Sequence, residues 1–214
     1  MITLKPTSDN LYNVEYPGSL TAIGDNPSEQ FLRSLLLKEP YNLGAHMALS
    51  DLLMDRDDVE EACEQRLMGA QMTLDALSED EAMEINMSHE KNHVFVEIIF
   101  LSGYDHYVFG DFEMAAAMFE TVMELDPEDH FGAALPLTYC YIALGEWELF
   151  EEHYSPALFS RLEAELIEAW AAQRQNKSFT ISVSLRDELS NHQSELWQAT
   201  EHLWMAFPEF LATK

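Results

Sequence analysis

Along most of this chain apolar residues recur three and four positions apart, the spacing that lines one face of a helix, and Gly, Pro and acidic clusters cut the pattern into segments. The first 26 residues are the exception. Pro6, Pro17, Gly18 and Gly24 break them up, and the short alternation from Leu11 to Tyr16 predicts extended segments there. At Asn26-Pro27-Ser28-Glu29 a helix is expected to begin, with Asn26 as cap and Pro27 in the first turn, running through Leu32 and Leu36 to stop at Glu39-Pro40. Leu43 to Met54 and Val59 to about Leu77 then read as two helices around the polar turn Asp55-Arg56-Asp57-Asp58. A second pair follows, Val94 to Phe109 and Phe112 to Leu125, turned at Gly110-Asp111 and closed by Asp126-Pro127. A third starts at Phe131, turns at Gly145-Glu146 and continues from Trp147 to about Tyr154. Ser155-Pro156 opens a further helix through Leu162, Leu166 and Trp170, ended by Gln173 to Lys177. The strict alternation from Ser178 to Leu185 predicts one short strand, and Arg186 to about Phe207 a last helix.

The spacing of the turns organises these elements into domains. Gly110 and Gly145 are 35 positions apart, a period at which one helix pair stacks on the next. The run from Gly110 through Phe112, Ala115 and Phe119 to Pro127 resembles the second helix and terminator of a tetratricopeptide repeat. Gly110 permits a tight turn, Ala115 lets helices cross closely, and Pro127 stops the helix. Leu144-Gly145-Glu146-Trp147 repeats the motif, but Phe150 stands where a small residue belongs; the first unit keeps Ala62 and Gly69, but Asp57 replaces the turn glycine. The resemblance implies an all-α fold, a right-handed superhelix of stacked antiparallel helix pairs with about three degenerate repeats. It divides the chain into an extended N-terminal segment (1–26), a repeat domain (27–154) with an ordered insertion or lengthened helix at about 78–95, and a C-terminal helical extension or cap (155–214). Ser78-Glu79-Asp80-Glu81 has the pattern of a helix start inside that insertion.

Charge narrows the function. With 11 Lys and Arg against 39 Asp and Glu, the formal net charge is -28. Such a field repels nucleic acid and anionic membrane surfaces and favours encounter with basic partners. No apolar run reaches membrane-spanning length and the first residues lack the pattern of a secretory signal, so a cytoplasmic protein is expected. Cys63 and Cys140 sit among apolar neighbours in helical patterns and read as free structural thiols.

Catalytic chemistry is sparse. His89-Glu90-Lys91-Asn92-His93 matches the H-E-x-x-H spacing that puts two imidazoles on one helix face with Glu as general base. The charged Lys91 inside the motif and the lack of a third ligand downstream argue against a zinc hydrolase, and neither metal nor cofactor is expected. The resemblance instead implies a non-enzymatic groove lined by the first helix of each unit. Its exposed positions would be Met47, Asp51 and Met54, then Phe100, Tyr104 and Tyr107, then Leu135, Tyr139 and Ile142. These lack the Lys, Arg and Asn with which relatives clamp acidic chaperone tails, so the expected ligand is an apolar or basic segment of another protein. The alternative is an acidic inhibitor or immunity-type protein that neutralises a basic toxin or nucleic-acid-binding protein.

Overall fold

The computed structural model describes residues 1–8, 10–78 and 82–212, apart from the side chain of Glu90. The extended segment at the N-terminus forms a hairpin, β1 (Thr3–Ser8) and β2 (Leu11–Glu15), whose antiparallel register runs from Thr3 opposite Glu15 to Ser8 opposite Leu11. A short β3 (Glu84–Ile85) pairs in parallel with β2, giving a three-stranded sheet in the order β1-β2-β3. The insertion is therefore ordered partly as a strand; its Glu79-Asp80-Glu81 lies outside the described residues.

The rest is mostly helical: α1 (Glu29–Leu36), α2 (Leu43–Met54), α3 (Val59–Leu74), α4 (Glu90–Phe109), α5 (Phe112–Leu125), α6 (Ala134–Leu144), α7 (Trp147–His153), α8 (Arg161–Arg174), α9 (Val183–Ser190), α10 (Glu195–Ala206) and α11 (Glu209–Ala212). Several boundaries differ from the sequence expectation, each because a serine captures a helix start. Ser28, not Asn26, caps α1 by accepting from the Phe31 N–H. Ser155-Pro156 opens only a short 3-10 turn, and α8 begins after Ser160, which forms a reciprocal capping box with Glu163. No strand forms over 178–185. Ser182 caps α9 instead, while its own N–H and hydroxyl are bound by Glu165. Leu185 and Leu189, four apart, are then both buried, whereas Val183 is exposed. The single last helix is likewise two, interrupted at Asn191 and restarted by Ser194.

Four helices, α2, α4, α6 and α8, end in the same way. The residue after the turn donates its N–H five positions back: Asp58 to Leu53 (3.0 Å), Asp111 to His106 (2.9 Å), Glu146 to Tyr141 (2.9 Å) and Lys177 to Ala172 (2.8 Å). This closure requires a left-handed residue just before the donor. Asp57 (φ 64°), Gly110 (φ 82°), Gly145 (φ 78°) and Asn176 (φ 56°) fill that place. The turn at Asp57 thus has the geometry of the glycine turns without a glycine, and Asn176 marks a fourth that the sequence pattern did not single out.

The chain divides into two compact units. Unit 1 comprises residues 1–105 and 117–133, unit 2 residues 106–116 and 134–214. In unit 1, α2, α3 and α4 converge at Gly69, where a Cβ would overlap Ile98 and approach His46 Cβ at 3.6 Å. Gly103 plays the same part for α4 and α5, since a Cβ there would stand 3.0 Å from Met118 Cβ. The fully buried Asn92 secures the sheet to the start of α4: its carbonyl oxygen accepts from Val14 N–H, and its amide donates to Asn13 and to the Asn86 carbonyl. In unit 2 an aromatic core forms around Trp170, whose ring centroid lies 5.9 Å from that of Tyr139, 5.6 Å from Trp204 and 5.4 Å from Phe207.

Candidate protein-binding face

The positions expected to line a groove separate by burial. In unit 1, α2 carries Met47, Asp51 and Met54 along one stripe, and α4 carries His93, Glu97, Phe100 and Tyr104 along another. Asp51, Met54 and Tyr104 are exposed; Met47, Glu97 and Phe100 are half-buried. The two stripes carry Asp51 and Glu97 near enough for their charges to interact. Burial, and then the nearby Asp51 carboxylate, hold the Glu97 carboxyl above its ordinary range. Glu97 is thus a half-buried acid in the field of the exposed Asp51, which itself lies 3.8 Å from the Arg66 guanidinium.

One buried side chain holds this surface in place. Arg66 of α3 donates from Nε to Ser50 Oγ (2.7 Å) on α2 and from Nη1 to Asp105 Oδ1 (2.8 Å) on α4, with Asp51 Oδ1 3.8 Å from Nη2. It fixes the two stripes while leaving most of Asp51 exposed. Aromatic packing supports the other edge: the Phe100 ring lies 6.1 Å from Phe131, 5.7 Å from Phe119 and 6.2 Å from Tyr104.

The expected positions in unit 2 need correcting. Tyr107, Tyr139 and Ile142 are buried, and only Leu135 is half-exposed. Tyr107 packs edge-on against His202 with ring centroids 4.3 Å apart, and Tyr139 packs on Trp170. The cause is legible in α6, which has no charged residue and is apolar all round, so Pro136 through Ala143 are buried on every side. These residues are core, not groove.

Unit 1 contains two concavities that the sequence did not reveal. An apolar groove of about 470 Å³ lies between α1, α2 and α3, lined by Leu36, Leu37, Leu49, Met68 and Met72, with Arg33 at its edge. A second, of about 410 Å³, is bordered by Ile85, Ser88, Asp126, Glu128 and His130. In it the buried Asp126 accepts from the His130 backbone N–H and ring Nδ1–H, both at 2.7 Å, which raises the imidazole above its usual value. This pair fastens the loop after α5.

The described residues of the H-E-x-x-H motif are not gathered into a site. His89 is exposed, the side chain of Glu90 lies outside the described residues, and His93 spends its Nε2–H on the Met87 carbonyl. Among the described residues no group of three or more His, Cys, Asp or Glu is arranged to hold a metal ion. Cys63 and Cys140 are thiols, not joined in a disulfide. Burial, with Asp105 adding to it, pushes the Cys63 thiol up to about 11, so it stays protonated and is a poor nucleophile near neutral pH. No helix among the described residues is long and apolar enough to cross a membrane. No family model matches the chain, and no curated protein and no solved structure matches it either.

Proposed function

We propose that this protein is a non-catalytic, tetratricopeptide-like binding module that seats an apolar or basic segment of a partner protein on the α2–α4 face of unit 1. The electrostatic proximity of Asp51 to the half-buried Glu97, on helices that also expose Met54 and Tyr104, carries the reading: apolar contact area on the same helices as two acids suits a segment with Lys or Arg among apolar side chains. The recurrent closure of α2, α4, α6 and α8 supports the repeat character, because the same turn ends the helix each time. The Met side chains adapt to varied apolar shapes at little cost.

The test begins with capture of the partner from the native cell and its identification by mass spectrometry. Affinity is then measured for Tyr104→Ala combined with Glu97→Gln. The proposal expects at least a tenfold loss with the fold intact, about 1.4 kcal/mol or more. Salt separates the alternative, an acidic inhibitor acting by charge: its affinity would fall steeply with ionic strength, whereas a seat with a large apolar share changes less.

A further inference from the structure

The apolar groove between α1, α2 and α3 has a polar corner, where the buried side chains of His46 and Gln65 line it (4% and 7% exposed). His46 Nε2 lies 3.1 Å from the Pro40 carbonyl, and Nδ1 lies 3.1 Å from Gln65 Oε1. A carbonyl only accepts, so Nε2 carries the ring proton. Burial outweighs both hydrogen bonds and holds the imidazole below its ordinary value, so near neutral pH Nδ1 is a bare lone pair. With Oε1 in front of it, two acceptors would face each other. The two ends of an amide have the same shape, and the partner decides which end goes where. Turned over, the Gln65 amide donates from Nε2 to Nδ1 and sends Oε1 to its opposite end.

That opposite end has no partner among the described residues and is not sealed in the core. Because Gln65 lines the groove, the groove is where it opens. The other walls are apolar: Leu36, Leu37, Leu49, Met68 and Met72. Charges at the edge cancel. Arg33 is bound by Glu29 and Glu61, and Arg56 by Glu29, two cations against two acids. Neither an anion nor a cation finds an unmatched counter-charge there. At about 470 Å³ the groove falls within the range of small-molecule sites, about 300–1,000 Å³, which combine apolar walls with a few placed polar groups.

We propose that Gln65 donates to His46 and presents its carbonyl oxygen to the groove, which binds a neutral alcohol with an apolar body. The hydroxyl donates to Gln65 Oε1, and the body lies against Leu37, Met68 and Met72. Water would satisfy the oxygen but leave these apolar walls wet. The groove shares no residue with the α2–α4 face, and neither reading depends on the other.

The probe is 1-octanol, added to the full chain carrying 13C-methyl methionine; among the 11 methionine signals, those of Met68 and Met72 are assigned with Met68→Leu and Met72→Leu. Both signals should shift on titration, while those of Met47 and Met54 stay in place. The isomer 1-methoxyheptane, which has no donor, should bind about three- to tenfold more weakly. In Gln65→Met the alcohol and the ether should bind within about twofold of each other. A measurement on the wild-type chain guards against misfolding of that variant: the 15N signals of His46 near neutral pH should show a proton on Nε2 alone. Five results would each overturn the proposal: Met68 and Met72 unmoved up to about 1 mM alcohol, Met47 and Met54 moving instead, equal binding of the two isomers, a preference for the alcohol kept in folded Gln65→Met, or a proton on His46 Nδ1.

Discussion

Two arginines, one buried and one half-buried, show how differently the two units are built. Arg66 in unit 1 lies between α2 and α4 with Ser50 and Asp105 as close partners, so its charge is matched where it is desolvated. Arg174 in unit 2 is held by one carbonyl and the face of Phe207, with no carboxylate in reach among the described residues. The first arginine is a strut that positions an exposed acidic and aromatic face. The second is half-exposed, so solvent carries part of its charge and the protein supplies a carbonyl and a ring. The buried arginine has a carboxylate partner and the half-buried one does not, as the cost of desolvating a charge requires.

The largest expected effect breaks the strut. Arg66→Met leaves the Asp105 carboxylate, whose side chain is 13% exposed, without its cation and should cost about 3–5 kcal/mol in urea unfolding. Arg174→Met, which strands no carboxylate, should cost about 1 kcal/mol or less by the same measurement. Similar losses in both would erase the contrast.

Acid sharpens it from the other side. Burial pushes the His202 imidazole down to about 4. Between the ordinary value near 6.5 and about 4 the unfolded chain binds a proton that the folded chain does not, so stability is lost as pH falls through that window. With partial solvent access the loss attributable to His202 should be about 1–2 kcal/mol. His202→Gln should flatten this part of the stability profile relative to wild type, and identical profiles would show that the histidine is not held neutral.

The turns give the smallest expected effects. Gly110→Ala forces a Cβ into the left-handed region and should cost about 1–2 kcal/mol in the same urea unfolding. Asp57→Gly, at the equivalent turn after α2, should gain up to about 1 kcal/mol by removing that strain. If Asp57→Gly instead destabilises, the aspartate side chain contributes more than its backbone conformation costs.

Those turns were also what the sequence displayed best. The helix pairs around Gly110 and Gly145 were legible because a glycine recurring at a fixed period points to a repeated left-handed turn, and the α2–α3 pair because its apolar spacing is clear. Asn176 was missed because asparagine ends helices less distinctively. The strand expected over 178–185 failed because Leu185 and Leu189, four positions apart, share one helical face, and the cap at Ser182 starts the helix there. Met47, Asp51, Met54, Phe100 and Tyr104, which the repeat resemblance implied, lie on α2 and α4; Asp51, Met54 and Tyr104 are exposed, and Met47 and Phe100 half-buried. Glu97 was not foreseen, because what marks it is its burial and the influence of Asp51 from another helix. Tyr107, Tyr139 and Ile142 were misplaced outward, although the uncharged α6 already implied that its own two would be buried.

The central claim is that unit 1 binds its partner through α2 and α4 and not through the apolar groove beside α1. Isothermal titration of the captured partner with two variants tests this most directly. Tyr104→Ala with Glu97→Gln should lose at least tenfold in affinity, while Leu37→Ala with Met68→Ala, which alters only the α1–α3 groove, should bind within about twofold of wild type. The reverse pattern, binding lost with the groove variant and kept with the α2–α4 variant, would contradict the account.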